Sequence, residues 1–116
     1  MNQLVLAGHS FGGQTAIATA GSLPEADRPK VLFTLDPSLY AFCDEIIAGQ
    51  HKVTCPVMCI HSEYFTHYSN MYFKQWDAVM AVMNGAKGSG RQENIIIKEQ
   101  RHLDQCDAGC VVNWEK

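Results

Sequence analysis

A Gly-x-Ser-x-Gly motif near the start of the chain restricts its possible folds more than any other feature. Residues 4–7 (Leu-Val-Leu-Ala) form an apolar run typical of a buried strand, and the alanine-rich residues 14–20 are typical of a helix. Between them stand Gly8, Ser10 and Gly12. A serine at a sharp turn between a strand and a helix forms a nucleophile elbow, which holds its hydroxyl clear of the sheet. The motif therefore predicts that Ser10 is a nucleophile.

The two glycines of the motif are predicted to be sterically required. At such an elbow, the residues two before and two after the serine approach neighbouring backbone so closely that a Cβ does not fit. We therefore expect Gly8 and Gly12 to be needed as glycines. The next helix is predicted to begin at Ser10, with its amino end toward the place where negative charge develops in acyl transfer. The alternative is a glycine-rich turn that binds a phosphate or only packs.

Apolar runs alternate with helical segments along the rest of the chain. The predicted strands are the four apolar runs at residues 4–7, 31–35, 57–60 and 95–97. The clearest helical pattern covers residues 70–84, whereas residues 64–68 are predicted to form an aromatic loop. Alternation of this kind predicts right-handed crossovers and a parallel sheet. We therefore predict an α/β fold of about four parallel strands with flanking helices, in one domain over residues 1–116.

Residues suited to activate the serine follow the predicted strands. A serine hydroxyl needs an adjacent base, and the base needs an orienting carboxylate. In this kind of fold the order along the chain is serine, acid, histidine. His102 follows the last predicted strand and is the expected base, with His61 as the runner-up. His9 is expected to pack or to line the rim of the site.

Two residues compete for the role of the acid. Asp36 ends the second predicted strand and is followed by Pro37, and Glu63 ends the third. The carboxyl ends of parallel strands meet at one edge of a sheet, so either carboxylate could reach His102. Position along the chain leaves both alternatives open. His51 and His67 are expected to be loop residues.

Composition excludes several classes of function. The 116 residues carry a net charge of −3, which is unlike the basic face of a nucleic-acid-binding protein, so we expect no nucleic-acid partner. No apolar run approaches the length of a membrane span, and no signal peptide is visible, which slightly favours a cytoplasmic location. The five cysteines include two Cys-x-x-x-Cys pairs, at residues 55/59 and 106/110. Buried thiols are the better interpretation, so we expect no metal and no cofactor.

Several segments together resemble the platelet-activating factor acetylhydrolase family, of the lipoprotein-associated phospholipase A2 type. They are Gly-His-Ser-Phe-Gly-Gly at 8–13, Leu-Asp at 35–36, Asp-Glu at 44–45, Ser-Glu-Tyr-Phe at 62–65, and the Ile95-Ile96-Ile97 run that leads to His102. The resemblance extends from Leu4 to about Asp107. The first segment is shared with other lipases, and its combination with Ser-Glu-Tyr-Phe is much more specific.

The resemblance implies a calcium-independent serine esterase that removes the short sn-2 acyl group from phospholipids. Carried over, it makes Ser10 the nucleophile, Asp36 the acid and His102 the base, with Glu63 in a supporting role. It implies the backbone N–H of Phe11 as one oxyanion donor. It also implies a phospholipid or other acyl-ester substrate and contact with a membrane or lipoprotein surface.

The family pattern places further strands and a second oxyanion donor ahead of the elbow strand. We therefore expect the chain to be the carboxyl-terminal half of an α/β-hydrolase, that is, a partial domain with weak activity by itself. The alternatives are a general carboxylesterase or cutinase-like enzyme, and a catalytically impaired fragment that serves only as a binding piece. A nucleotide-binding half-domain ranks last, because the glycine spacing of such domains is absent.

Overall fold

The computed structural model describes residues 4–68, 70–85 and 92–105. In this part of the chain four strands lie side by side in one parallel sheet, in the same order as in the sequence. They are β1 (Val5–His9), β2 (Val31–Leu35), β3 (Val57–Ser62) and β4 (Gln92–Ile97). The predicted α/β class and the four parallel strands are thus confirmed, and β4 begins three residues earlier than the apolar run 95–97 indicated.

Helices connect these strands. They are α1 (Phe11–Ser22), α2 (Cys43–Ile47), α3 (Glu63–Tyr68) and α4 (Asn70–Gly85), and short 3₁₀ turns occupy Glu25–Asp27 and His102–Gln105. Helix α1 packs on β1 and β2, and α2 packs against α4. None of the helices in the described residues is both long enough and apolar enough to cross a bilayer.

The hydrophobic core lies between the sheet and these helices. Its most completely buried members include Ile17 of α1, Leu32 of β2, Cys59 of β3, and Trp76 and Val79 of α4. Burial of one aliphatic side chain such as Ile17 or Leu32 stabilises the folded state by about 1.5–3 kcal/mol. This core holds the strands in fixed register, and the register decides which residues meet at the carboxyl edge of the sheet.

β1 and β2 end level with each other at that edge, and β3 continues two residues further, to Ser62. His9 lies opposite Leu35, and Leu35 lies opposite Ile60. The residues that follow these positions are therefore brought together although they are far apart in the chain. β1 is the outer strand of the sheet in the described residues, and the side chain of Val5 there is 60% exposed.

The predicted aromatic loop at 64–68 is wrong, because this segment belongs to helix α3. Aromatic residues are weak helix formers, which obscures the helical pattern. The helix is supported locally by Glu63, whose negative charge lies in the first turn, and by the Thr66 hydroxyl, which donates to the Glu63 carbonyl at 2.6 Å. The segment after β3 is therefore a defined element that positions side chains at the sheet edge.

Candidate active site

Ser10 occupies a strained turn between β1 and α1. Its φ of 57° and ψ of −123° lie in a region that residues with a side chain rarely adopt, at a cost of about 1–3 kcal/mol. Its N–H donates to the Leu35 carbonyl at 2.9 Å, and its carbonyl accepts from the N–H groups of Gly13 and Ser38, both at 2.9 Å. The bonds to Leu35 and Ser38 tie the elbow to β2 and to the loop after it, and the bond from Gly13 closes the first turn of α1. Helix α1 begins at Phe11, so Ser10 is the cap rather than the predicted first helical residue.

The steric reason for glycine holds at Gly8 but is not found at Gly12. A Cβ on Gly8 would lie 2.5 Å from the Gly12 carbonyl carbon and 2.8 Å from the Gly13 nitrogen. A Cβ on Gly12 would meet no described atom within 4 Å, because this residue is on the exposed side of α1. The close contact is instead at Gly13, where a Cβ would lie 2.8 Å from both the Cα and the Cβ of Pro37.

The hydroxyl of Ser10 begins a continuous chain of hydrogen bonds. His102 Nε2 lies 2.9 Å from Ser10 Oγ, and His102 Nδ1 lies 3.0 Å from Asp36 Oδ2. The tautomer that satisfies both contacts carries its proton on Nδ1, donates it to the carboxylate, and accepts from the serine hydroxyl at Nε2. The structure thus brings together three residues that the sequence analysis singled out, from the ends of β1 and β2 and from the loop after β4.

Asp36 is fully buried and firmly oriented. Its φ is 41°, and its N–H donates to the Ile60 carbonyl at 2.8 Å. Oδ1 accepts from the Ser62 N–H at 2.6 Å, and Oδ2 accepts from the Ser62 hydroxyl at 2.5 Å. With the contact from His102, the carboxylate receives three donors, which is how a buried negative charge is stabilised. Ser62 was missed as a site residue, although its place at the end of β3 was a usable signal.

The structure puts Asp36, and not the alternative acid Glu63, beside the His102 imidazole. Glu63 Oε2 instead accepts from the N–H of Glu99 at 2.8 Å, and the neighbouring Tyr64 N–H donates to the Gln100 carbonyl at 3.2 Å. Glu99 itself has a φ of 60°. Glu63 therefore contacts the turn that leads from β4 to His102, and its supporting role stays a prediction.

Two aromatic rings contact the His102 imidazole. The His9 ring lies 4.5 Å from it, centroid to centroid, with an interplanar angle of 25°. The Phe65 ring lies 4.3 Å from it at an angle of 15°. His9 Nε2 is also 3.1 Å from the backbone carbonyl oxygen of His102. His9 therefore packs on the imidazole, which is the first of the two alternatives given for it above. Phe65 was missed because the sequence predicts a loop for its segment.

Comparison with known families identifies the group of proteins that shares this pattern. Residues 1–107 match the family described as platelet-activating factor acetylhydrolase, isoform II. The chain belongs to this family. The resemblance inferred from the sequence is thereby confirmed.

A solved structure extends the comparison to the fold. The siderophore hydrolase EstB from Aspergillus nidulans superposes with a TM-score of 0.60 at 14% sequence identity, covering 92% of this chain and 46% of EstB. At this identity the likeness supports the α/β-hydrolase type of fold and nothing further. The acetylhydrolase-family chain spans about half the length of this neighbour. No curated protein matches the chain.

His61 and His67 have surroundings that differ from those of His102. His61, the runner-up as base, is buried, and its ring packs edge-on against Trp76 with centroids 4.8 Å apart. Burial lowers the pKa of His61, although the Asp36 charge and a hydrogen bond with the Asn94 side chain oppose this effect. His67 lies in helix α3 and is exposed. Neither imidazole takes the place of His102 against the serine.

His51 belongs to a second chain of serine, histidine and acid. The Ser22 hydroxyl lies 3.0 Å from His51 Nδ1, and His51 Nε2 lies 3.0 Å from Glu45 Oε2. Ser22 is the last residue of α1, where the helix dipole presents its negative end and would repel a developing oxyanion. Its φ is not positive, in contrast to that of Ser10. This second chain therefore resembles the first in its hydrogen bonds but lacks the elbow and the favourable helix end.

The oxyanion donor remains a prediction. Phe11 is the first residue of α1, and the first N–H groups of a helix have no partner within that helix. Its N–H is therefore available to donate a hydrogen bond to negative charge that develops next to Ser10, and the residue is 57% exposed.

Two groups of residues raise the question of a metal. Ligand atoms of His9, Asp36 and His102 lie within 4.8 Å of one another. The two imidazoles are stacked on each other, and each of the three side chains is engaged in the hydrogen bonds described above, which account for the short distances within this cluster. The second group is the thiols: burial raises the pKa of Cys59 to about 11 and also raises that of Cys55, which opposes the thiolate form that zinc requires. Cys106 and Cys110 lie outside the described residues.

Proposed function

We propose that this chain carries the nucleophile, acid and base of a serine esterase that removes the short sn-2 acyl group from phospholipids such as platelet-activating factor. The single observation that carries the proposal is the unbroken hydrogen-bond chain from Ser10 through His102 to the buried Asp36, at a strained elbow. Membership of the acetylhydrolase family supports an ester as the substrate.

In the first half of the reaction, Ser10 Oγ attacks the ester carbonyl carbon and His102 Nε2 takes the hydroxyl proton. The imidazolium that forms is stabilised by Asp36 through Nδ1–H. The carbonyl oxygen becomes an oxyanion, and in this proposal the N–H of Phe11, the first residue of α1, donates a hydrogen bond to that charge. The bond to the sn-2 oxygen then breaks, and His102 returns its proton to this leaving alcohol.

The second half of the reaction releases the acyl group. A water molecule attacks the acyl carbon while His102 Nε2 takes one of its protons. The tetrahedral intermediate collapses, the bond to Ser10 Oγ breaks, and His102 returns the proton to the serine. The products are a free carboxylic acid, a lysophospholipid and the original enzyme, so no cofactor is consumed.

Exposed apolar side chains next to the site support a lipid substrate. Phe11 follows Ser10, Tyr64 lies at the start of α3, and Leu103 follows His102, and all three are exposed. Exposed apolar side chains that follow site residues in the chain suit contact with a lipid or a partner. We therefore include contact with a membrane or lipoprotein surface in the proposal. A general carboxylesterase has no need of such contact, so substrate preference separates the two functions.

Covalent labelling tests the nucleophile. The full protein is treated with a fluorophosphonate probe, and the labelled peptide is identified by mass spectrometry. Label is expected on Ser10 and is expected to disappear in Ser10→Ala. Ser22→Ala is the matched control, because Ser22 has a histidine and an acid at similar distances but lacks the elbow. Label that persists in Ser10→Ala, or that is found on Ser22, would exclude Ser10 as the nucleophile.

The substrate class is tested separately with purified wild-type protein. We expect kcat/KM for a phospholipid with an sn-2 acetyl group to exceed that for one with a long sn-2 chain. We also expect the acetyl phospholipid to be preferred to a soluble p-nitrophenyl acetate at equal concentration. Preference for the soluble ester would support the carboxylesterase alternative, and the absence of turnover with any ester would support a binding fragment.

A further inference from the structure

The loop that carries His102 has few attachments of its own to the sheet. Residues 98–101 leave β4, and of these Lys98, Glu99 and Arg101 are exposed. The loop is held by the bond from the Glu99 N–H to Glu63 and by the Tyr64 N–H at the Gln100 carbonyl. Within the loop, the Arg101 N–H donates to Asp104 Oδ2 at 2.8 Å. These bonds fix the approach to His102 but do not fix the residue itself against the elbow.

His9 provides that connection from the other side. It is the last residue of β1 and immediately precedes Ser10. Its Nε2 donates to the backbone carbonyl of His102 at 3.1 Å, and its ring stacks on the imidazole at 4.5 Å. One side chain therefore contacts both the main chain and the ring of His102. These two residues are 93 positions apart in the sequence.

We infer that His9 is a positioning residue that sets the distance between the base and the nucleophile. The inference rests on the proposed function, in which Ser10 and His102 react. The backbone at His9 continues directly into the elbow, so a shift of the elbow carries the His9 side chain with it. Because that side chain holds the His102 carbonyl and ring, the base follows the nucleophile.

Proton transfer between Ser10 and His102 tolerates only a small displacement of either residue. The proton is transferred across the 2.9 Å between Ser10 Oγ and His102 Nε2. A misplacement of about 1 Å between reacting groups lowers rates by about 10²-fold. The hydrogen bond from His9 restrains the position of the His102 backbone. The His9 ring, together with the Phe65 ring that also stacks on the imidazole, restrains the tilt of that imidazole. Loss of either contact is therefore expected to lower the rate of proton transfer more than the affinity for the substrate.

Three substitutions separate the two contacts. His9→Gln keeps an N–H at a reach similar to that of Nε2 but removes the ring. His9→Phe keeps a ring and removes the donor. His9→Leu has a similar volume and keeps neither. We expect His9→Leu to lower kcat by about 10²-fold, and His9→Gln and His9→Phe each to recover part of that loss.

A positioning role and a purely structural role of His9 predict different changes in KM, kcat and labelling rate. KM for a short ester is expected to stay within about twofold of wild type, and fluorophosphonate labelling of Ser10 is expected to slow in parallel with kcat. Each rate is measured at a temperature well below the melting midpoint of that variant, so that loss of folded protein does not contribute. His51→Ala is the matched control, because His51 is also a half-buried, hydrogen-bonded histidine but lies in the second chain.

Two results would overturn the inference. One is a kcat for His9→Leu within about threefold of wild type, and the other is a kcat for both His9→Gln and His9→Phe no higher than for His9→Leu. Failure of the proposed function is distinguishable, because it appears as label or turnover that persists in Ser10→Ala. If Ser10→Ala is inactive while the His9 series is unchanged, the esterase stands and only the positioning role of His9 is wrong.

Discussion

Ser62 donates to both oxygens of the Asp36 carboxylate, with its N–H at 2.6 Å from Oδ1 and its hydroxyl at 2.5 Å from Oδ2. The second oxygen is the one that faces His102 Nδ1 at 3.0 Å. The orientation of the His102 imidazole therefore depends on a serine from β3 as well as on the carboxylate itself. Ser62 does not touch the Ser10 hydroxyl, so its effect acts entirely through Asp36.

We predict that Ser62→Ala destabilises the protein and lowers kcat. Loss of a hydrogen bond to a buried carboxylate costs about 1.5–3 kcal/mol of unfolding free energy. Urea unfolding measures the stability, and ester turnover measures kcat. Ser22→Ala removes an exposed hydroxyl and is expected to change stability by less than about 0.5 kcal/mol. Equal stability of the two variants would show that the bond to Asp36 contributes nothing.

We predict that Asp36→Asn lowers kcat by about 10⁴-fold, because an amide in that place favours the wrong tautomer of the histidine. Glu63→Gln is expected to have a much smaller effect, since the amide oxygen can still accept from the Glu99 N–H. Steady-state turnover of a short ester measures both. A larger loss in the Glu63 variant than in the Asp36 variant would reverse the assignment of the acid.

Two adjacent glycines of the elbow are predicted to respond in opposite ways to alanine. Gly13→Ala brings a Cβ to 2.8 Å from Pro37 and is expected to cost about 1–3 kcal/mol of stability. Gly12→Ala enters open space within α1 and is expected to stabilise the helix by up to about 1 kcal/mol. Urea unfolding of the two variants tests this directly. A stable Gly13→Ala would show that the loop after β2 can move away.

We predict a loss of stability at alkaline pH that depends on Cys59. Burial raises the pKa of this thiol from 9.0 to about 11 in the folded protein. The folded state keeps the proton to a higher pH than the unfolded state does, so this contribution is present below pH 9 and is lost as the pH rises toward 11. Unfolding free energies measured across this range are expected to fall less steeply in Cys59→Ala. Equal slopes would mean that the thiol does not contribute to the pH dependence.

The strands of the sheet and the serine at the turn could be predicted from local patterns in the sequence. The apolar run before Gly8, the serine at the turn and the alanine-rich segment after it are neighbours in the chain, so their meaning does not depend on distant contacts. The same is true of the other strands, whose apolar residues form short continuous runs. The choice of His102 among the histidines rests on its place after the last strand, which is where this kind of fold is expected to carry its histidine.

Local patterns were insufficient where the outcome depended on contacts between distant residues. Asp36 and Glu63 both end strands, and only the register of β2 with β3 places Ser62 on Asp36 and leaves Glu63 to the turn after β4. The requirement for glycine at position 13 likewise arises from a distant residue, because Pro37 lies in the loop after β2.

The chain by itself indicated the four parallel strands and the turn at Ser10, because each is encoded in residues that are close in sequence or in their order along the chain. The tertiary structure decided which acid faces the base and which rings contact it. His9 and Phe65 act on His102 across the sheet edge, and such contacts are set by packing of the whole core rather than by any segment. A one-residue change of register would separate these groups without altering a single local pattern.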